Sequence, residues 1–201
     1  MPEAEEALRA EIAAYCARLW QRHLVTGSSG NVSARLGDAE LLVTPAGRAL
    51  GSLGPAELVR VALDGTPAAP GRPTSELPLH LAAYAARPDA RCVVHTHPTF
   101  CVVWSMGGAI FPQDTVGARE TLGPVAWTPY YPAGSNALAA ACSEQFARGF
   151  DAVVMERHGL STIGIDLERA FLLTDLAEEA ARIAFFSRTI WGTPSERSRK
   201  D

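Results

Sequence analysis

Lysine is almost missing from this chain. Of its 18 basic residues 17 are arginine, and the only lysine, Lys200, stands beside the C-terminus in a polar run. Schiff-base catalysis needs a lysine amine held in a pocket with a lowered pKa, and a residue so placed is not expected to be buried. Any carbonyl chemistry must therefore use something other than a lysine imine. No G-K-[ST] occurs either, which excludes a P-loop. No apolar run reaches the ~18 residues of a membrane span, and the N-terminus MPEAEEALRA is acidic and helical rather than a signal peptide. Blocks of Lys and Arg are absent and the net charge is −4, which argues against nucleic acid or an anionic membrane as partner. The four cysteines, Cys16, Cys92, Cys101 and Cys142, form no C-x-x-C pair and read as small apolar core residues. With 201 residues, 47% of them hydrophobic, the chain fits one folded domain over 1–201, soluble and cytoplasmic.

What is present reads as strands interleaved with helices. Leu8, Ile12, Tyr15 and Leu19 recur at three- and four-residue steps and predict an amphipathic helix over 3–24. A small-residue loop over 26–31 leads into a hairpin of strands at 32–36 and 41–44, and Pro45-Ala46-Gly47 ends the second. A short helical turn opens at Pro55 and a strand follows over 59–63. After a loop over 66–75, a helix runs from Glu76 to 86, with Thr74 or Ser75 as its cap. Further strands are expected at 91–96, 125–130 and 151–156, with an apolar stretch over 98–106. A helix starts at Ser135 or Asn136 and stops at Gly149, and a last one, capped by Asp166, ends near Gly192. With no internal repeat, this order predicts one α/β domain around a mixed sheet.

Three histidines and a glutamate carry the chemistry. His95 and His97 sit at i and i+2 of a strand that Pro98 ends, so both imidazoles face one side and can reach one metal ion. His158, ending another strand just before Gly159, can bring a third nitrogen to the same sheet edge. Three histidines leave an open position on Zn²⁺, the arrangement of catalytic zinc sites. Glu76, at a helix start, either joins that ion and moves protons for it or simply answers the helix dipole. His80, four residues on, supports Glu76 or packs in the core, and His23 reads as a partner for the first helix's C-terminal dipole. The loops Ser28-Ser29-Gly30-Asn31, Pro45-Ala46-Gly47 and Thr74-Ser75 offer N–H and hydroxyl donors suited to an anion.

Taken in order, GSSGNVSAR, LLVTPAG, RPTSELPLH, VVHTHP and ERHG resemble the class II aldolase family of sugar-phosphate enzymes, over residues 27–159. The resemblance implies that His95, His97 and His158 bind zinc. It implies that Glu76 is the acid/base group and also ligates zinc when substrate is absent. It assigns Gly30, Asn31, Ala46, Gly47, Thr74 and Ser75 to the substrate phosphate. The implied fold is a three-layer α/β/α sandwich around a mixed, largely antiparallel sheet, and the implied assembly is a homotetramer with interface active sites. The implied reaction is cleavage of a ketose 1-phosphate, such as L-fuculose 1-phosphate, to dihydroxyacetone phosphate and an aldehyde through an enediolate. That route needs no lysine. LVTPAGRALG and PYYPAG also look like family members that decarboxylate 3-oxo-tetronate 4-phosphate with the same zinc and glutamate. A non-catalytic module of the adducin-head type resembles the fold but needs no metal set. The chain departs from the aldolase pattern at Ala46, where a hydroxyl residue is expected and Arg48 is the candidate substitute. It also departs at 112–117, which hold no tyrosine, and in the short tail after the last helix.

Overall fold

The structure, a computed structural model, describes residues 2–68, 70–108 and 110–192; Lys200 lies outside them. Its elements run α1 (Pro2–Gln21), β1 (Asn31–Leu36), β2 (Glu40–Val43), β3 (Val59–Ala62), α2 (Leu77–Ala86), β4 (Cys92–Thr96), α3 (Thr99–Ser105), β5 (Val125–Thr128), α4 (Asn136–Ala147), β6 (Ala152–Met155), β7 (Gly159–Gly164) and α5 (Leu167–Trp191). The strands form one sheet in the order β3-β2-β1-β4-β7-β6-β5, antiparallel throughout except for the parallel pair β5 and β6. The expected mixed, largely antiparallel sheet is thus present.

Strand parity makes the layers. Side chains alternate across a strand, so Cys92 and Val94 of β4 join the cluster with Ile12, Cys16 and Leu19 of α1 and Phe171 of α5. Val93 faces the other way, with Leu79, Ala83 and Tyr84 of α2 and Leu138, Cys142 and Phe146 of α4. At the far end of the sheet, Val154 and Leu160 pack on Cys101 of α3 and Leu173, Ala177 and Ala181 of α5. Helices α1, α3 and α5 therefore cover one face and α2 and α4 the other, giving the three-layer α/β/α sandwich. Each large side chain so buried contributes roughly 1.5–3 kcal/mol.

Capping sets where two of the helices begin. Ser135 accepts from the Leu138 N–H at the start of α4, and Asp166 accepts from the Arg169 N–H at the start of α5, as the sequence predicts. Gly192 ends α5 at φ +73°. Helix α2 departs from expectation: neither Thr74 nor Ser75 caps it. Glu76 occupies the cap position without capping, and Pro78 follows in the first turn, where its missing N–H costs nothing. The apolar stretch after Pro98 is α3. Strand β7 is an addition to the expected elements, and it lies between β4 and β6 at the centre of the sheet.

Candidate active site

Strand β4 points His95 into the α2/α4 layer, where it is fully buried, and the chain carries His97 past the strand end with the same parity. The register sets Thr96 opposite Leu160 and His95 opposite Ser161 of β7. That pairing places the residue just before β7, His158, beside the His95–His97 pair. The β6–β7 turn that carries it is held by Arg157, at φ +56° and with its N–H donated to Ser105 Oγ at 2.9 Å. Gly159 follows because nothing larger fits: a Cβ there would meet the Thr96 carbonyl and lie 2.9 Å from His97 Cδ2 and 3.2 Å from His95 Cε1.

The three rings form a near-equilateral triangle, with centroids 4.8, 4.9 and 5.0 Å apart. Glu76 reaches in from the start of α2. Its Oε2 lies 2.7 Å from His95 Nε2, and its Oε1 lies 3.3 Å from His158 Nε2 without hydrogen-bond geometry. One ligand atom from each of Glu76, His95, His97 and His158 falls within 4.8 Å of all the others. The donor set fits a metal ion. His95 Nδ1 lies 3.1 Å from the Leu160 carbonyl, which fixes the proton on Nδ1 and leaves Nε2 as a bare lone pair. That lone pair is 2.9 Å from His97 Nε2, and Glu76 Oε1 is buried without a hydrogen-bond partner. A divalent cation satisfies these convergent lone pairs together.

Electrostatics agree with neutral rings at His97 and His158 and an ionised carboxylate at Glu76. Burial, with His95 and His158 adding to it, pushes His97 down to about 3. Burial, with His95 adding, pushes His158 down to about 4. For Glu76 burial acts upward, yet His95, His158 and the Asn31 hydrogen bond outweigh it and hold the carboxyl well below the usual carboxylate range.

Beside this cluster opens a pocket of about 180 Å³. It is lined by Ser28, Ser29, Gly30, Asn31, Pro45, Ala46, Gly47, Thr74, Ser75, Glu76, His97, Ala133 and His158. The fold thus gathers the loop residues expected to face an anion around the metal cluster, while His95 stands behind the wall. Two loops are zipped together there: Ala46 N–H donates to Arg72 O, Thr74 N–H donates to Thr44 O, and Pro45 pairs with Pro73. Gly30 must be glycine, since it holds φ +79° with Val25 Cγ1 only 2.5 Å from where a Cβ would stand. Among the described residues, no hydrogen bond takes up the N–H of Gly30, Gly47 or Ser75 or the Ser75 hydroxyl. Ala46 brings neither a hydroxyl nor a free N–H, so it serves as wall. Arg48 does not substitute for it, because its guanidinium pairs with Glu57 at 2.7 Å outside the pocket. Ala133, from the loop after β5, also lines the pocket; it belongs to PYYPAG, a motif to which the sequence assigns no site role. A larger hollow, of about 560 Å³, lies between α3 and α5, lined by Val103, Trp104 and Phe185 and by no histidine among the described residues.

Of the two histidines outside the Glu76 cluster, His23 and His80, the second has a place beside it. His80 is fully buried, 2.7 Å from Ser33 Oγ through Nδ1 and 2.5 Å from Asn31 Oδ1 through Nε2. Asn31 in turn donates to Glu76 Oε2 at 3.2 Å. Of the two readings of His80, support of Glu76 is the one that the contacts favour.

Comparison with known proteins gives the frame for this geometry. Residues 10–185 match the family described as class II aldolase and adducin N-terminal domain. An L-fuculose phosphate aldolase from Methanococcus maripaludis is 33% identical over 87% of this chain and 94% of its own length. A 3-oxo-tetronate 4-phosphate decarboxylase from Escherichia coli is 32% identical over 91% of this chain and 88% of its own. Both names are those of lyases. The fold is also that of the L-fuculose-1-phosphate aldolase of Thermus thermophilus, at a TM-score of 0.83 and 24% identity over 94% of this chain and 97% of that one. The chain belongs to the class II aldolase and adducin N-terminal domain family.

Proposed function

We propose that the chain is a zinc-dependent class II aldolase that cleaves a ketose 1-phosphate, such as L-fuculose 1-phosphate, to dihydroxyacetone phosphate and an aldehyde. The observation that carries this reading is the position of Glu76, a buried carboxylate set against three imidazoles beside a pocket walled by small-residue loops. A bound zinc ion supplies Lewis-acid polarisation of the substrate oxygens and stabilises the negative charge of the enediolate. The chain's own residues do the rest. His95, His97, His158 and Glu76 form the metal set. Gly30, Gly47, Thr74 and Ser75 donate N–H and hydroxyl groups to the phosphate, between walls made by Asn31 and Ala46. Breaking C3–C4 leaves the electron pair on C3 as an enediolate, while the C4 hydroxyl gives up its proton and becomes the aldehyde; the ionised Glu76 takes up a proton and then delivers it to C3. No lysine is required.

The Escherichia coli relative, matched almost equally well, favours a second reading: decarboxylation of 3-oxo-tetronate 4-phosphate. There C1–C2 breaks, CO₂ leaves, and the electron pair stays on C2. The resulting enediolate is the same one, and its protonation by Glu76 yields the same dihydroxyacetone phosphate. The two readings share pocket, proton step and product, and differ only in what leaves. The adducin-type module needs none of the metal set and is the less supported reading.

The test is product analysis. Zinc-loaded protein is given L-fuculose 1-phosphate and, separately, 3-oxo-tetronate 4-phosphate, and dihydroxyacetone phosphate is followed by a coupled assay. Release from the first that stops on chelation and returns with Zn²⁺ establishes the aldolase. Release with CO₂ from the second alone transfers the assignment to the decarboxylase. Silence with both, from folded zinc-replete protein, removes both substrate assignments and points to a different phosphorylated substrate. We place the active unit in the cytoplasm as a homotetramer with interface active sites; exposed Val103, Met106, Ile110, Phe186, Ile190 and Trp191 supply apolar surface for association. A monomeric mass by light scattering would remove the tetramer.

A further inference from the structure

A chain of buried side-chain hydrogen bonds ends on the Glu76 carboxylate. It runs from Tyr84 Oη to Ser33 Oγ at 2.9 Å, from Ser33 Oγ to His80 Nδ1 at 2.7 Å, from His80 Nε2 to Asn31 Oδ1 at 2.5 Å, and from Asn31 Nδ2 to Glu76 Oε2 at 3.2 Å. Its members come from one strand and one helix. Asn31 and Ser33 are i and i+2 on β1, and His80 and Tyr84 are i and i+4 on α2, so each pair shares a face. All are buried, with His80 and Ser33 fully so.

The protons in this chain have one consistent arrangement. Burial pushes His80 down to about 3, so the ring is neutral with a single N–H. With that proton on Nε2, His80 donates to Asn31 Oδ1 and Asn31 turns its NH₂ toward Glu76. Nδ1 then accepts the Ser33 hydroxyl, whose oxygen accepts from Tyr84. Every link holds one hydrogen, and every donor points toward the carboxylate. With the proton on Nδ1 the chain reverses, Nε2 must accept from the Asn31 NH₂, and Asn31 Oδ1 faces Glu76 Oε2 across 3.2 Å. Two oxygens without a hydrogen between them are strongly disfavoured in a dry site.

We propose that His80 is a positioning residue: through Asn31 it orients the Glu76 carboxylate toward the three histidines and so sets the efficiency of the proton step. The inference rests on the reading of Glu76 as the proton-moving group. It holds for aldolase and decarboxylase alike, because both protonate the same enediolate.

The experiment follows exchange of the dihydroxyacetone phosphate carbon-bound proton with D₂O by zinc-loaded protein, for wild type, His80→Phe, His80→Gln and Glu76→Gln. His80→Phe keeps the ring volume and loses the donor, so kcat for exchange falls about tenfold or more while KM stays within about twofold. His80→Gln keeps an N–H for Asn31 and recovers most of that loss. A packing role gives the opposite order, with Phe tolerated and Gln not, and that result overturns the proposal. Normal exchange by Glu76→Gln removes the Glu76 reading itself, whereas an inactive Glu76→Gln beside a normal His80→Phe overturns only the role of His80. Long-range ¹H–¹⁵N spectra of wild-type protein decide the matter without turnover or variants. A His80 ring protonated at Nε2 supports the proposal, and one protonated at Nδ1 ends it.

Discussion

The pocket has two unlike ends. At one, Glu76, His95, His97 and His158 arrive from three separate stretches of chain and aim nitrogen and oxygen lone pairs at a common point. At the other, the walls are loop backbone, zipped by the Ala46 and Thr74 N–H groups, with small side chains and, among the described residues, neither Arg nor Lys in the lining. The first end is built from side chains that few other residue types replace. The second is built from N–H groups that every residue except proline carries, and only the path of the chain makes them donors to an anion. Substitutions should therefore separate the ends cleanly, through metal and turnover at one and substrate affinity at the other.

The largest effect is expected at His95. His95→Ala removes a proposed ligand whose Nδ1 is already anchored to the Leu160 carbonyl, so bound zinc by elemental analysis and turnover are expected to fall together. Zinc retained in full with normal turnover would take His95 out of the site. Next comes Glu76→Gln, which keeps the fold and much of the metal and lowers turnover about 10²–10⁴-fold, the range of a lost acid/base group. A loss of only a few-fold would end the proton-transfer role and leave Glu76 a ligand.

The same contrast explains what could be read from residue order. H-x-H on a strand and His-Gly after another were legible because metal ligation demands residue type and parity, and both are visible in sequence. The layers were legible through alternation, as in Val93 and Val94 facing opposite helices. Strand β7 was not legible, because Gly159-Leu160-Ser161-Thr162-Ile163-Gly164 carries polar residues and terminal glycines although every one of the six is buried. The Thr162 hydroxyl finds its partners in the Ala170 carbonyl and Thr174 of α5, in a separate element that the local pattern of β7 does not reveal. The start of α2 misled for a related reason. Thr74 and Ser75 are good caps by type, but the neighbouring histidines draw Glu76 inward and leave the Thr74 hydroxyl bonded to the Glu76 N–H. Arg48 looked like a phosphate ligand only while Glu57 was nine residues away on paper.

At the loop end the expected effects are smaller and fall on affinity. Ser75 offers an N–H and a hydroxyl that no described residue takes up. Ser75→Ala removes one hydrogen bond to a charged group, about 1.5–3 kcal/mol, so KM rises roughly 10–100-fold with kcat and zinc content nearly unchanged. A fall in zinc content instead would mean that the two ends are not independent.

The smallest effect belongs to Arg48, and it tests the contrast most sharply. A phosphate dianion beside an arginine only two residues from Ala46 invites the expectation of an ion pair. The guanidinium, however, is half-exposed and pairs with Glu57 at 2.7 Å, and exposed pairs of this kind contribute about 0–1 kcal/mol. Arg48→Ala should therefore leave KM within about twofold, with little dependence on ionic strength beyond that of wild type. If KM instead rises tenfold and the rise shrinks in high salt, Arg48 leaves Glu57 for the substrate. The loop end would then hold phosphate partly by charge rather than by backbone donors alone.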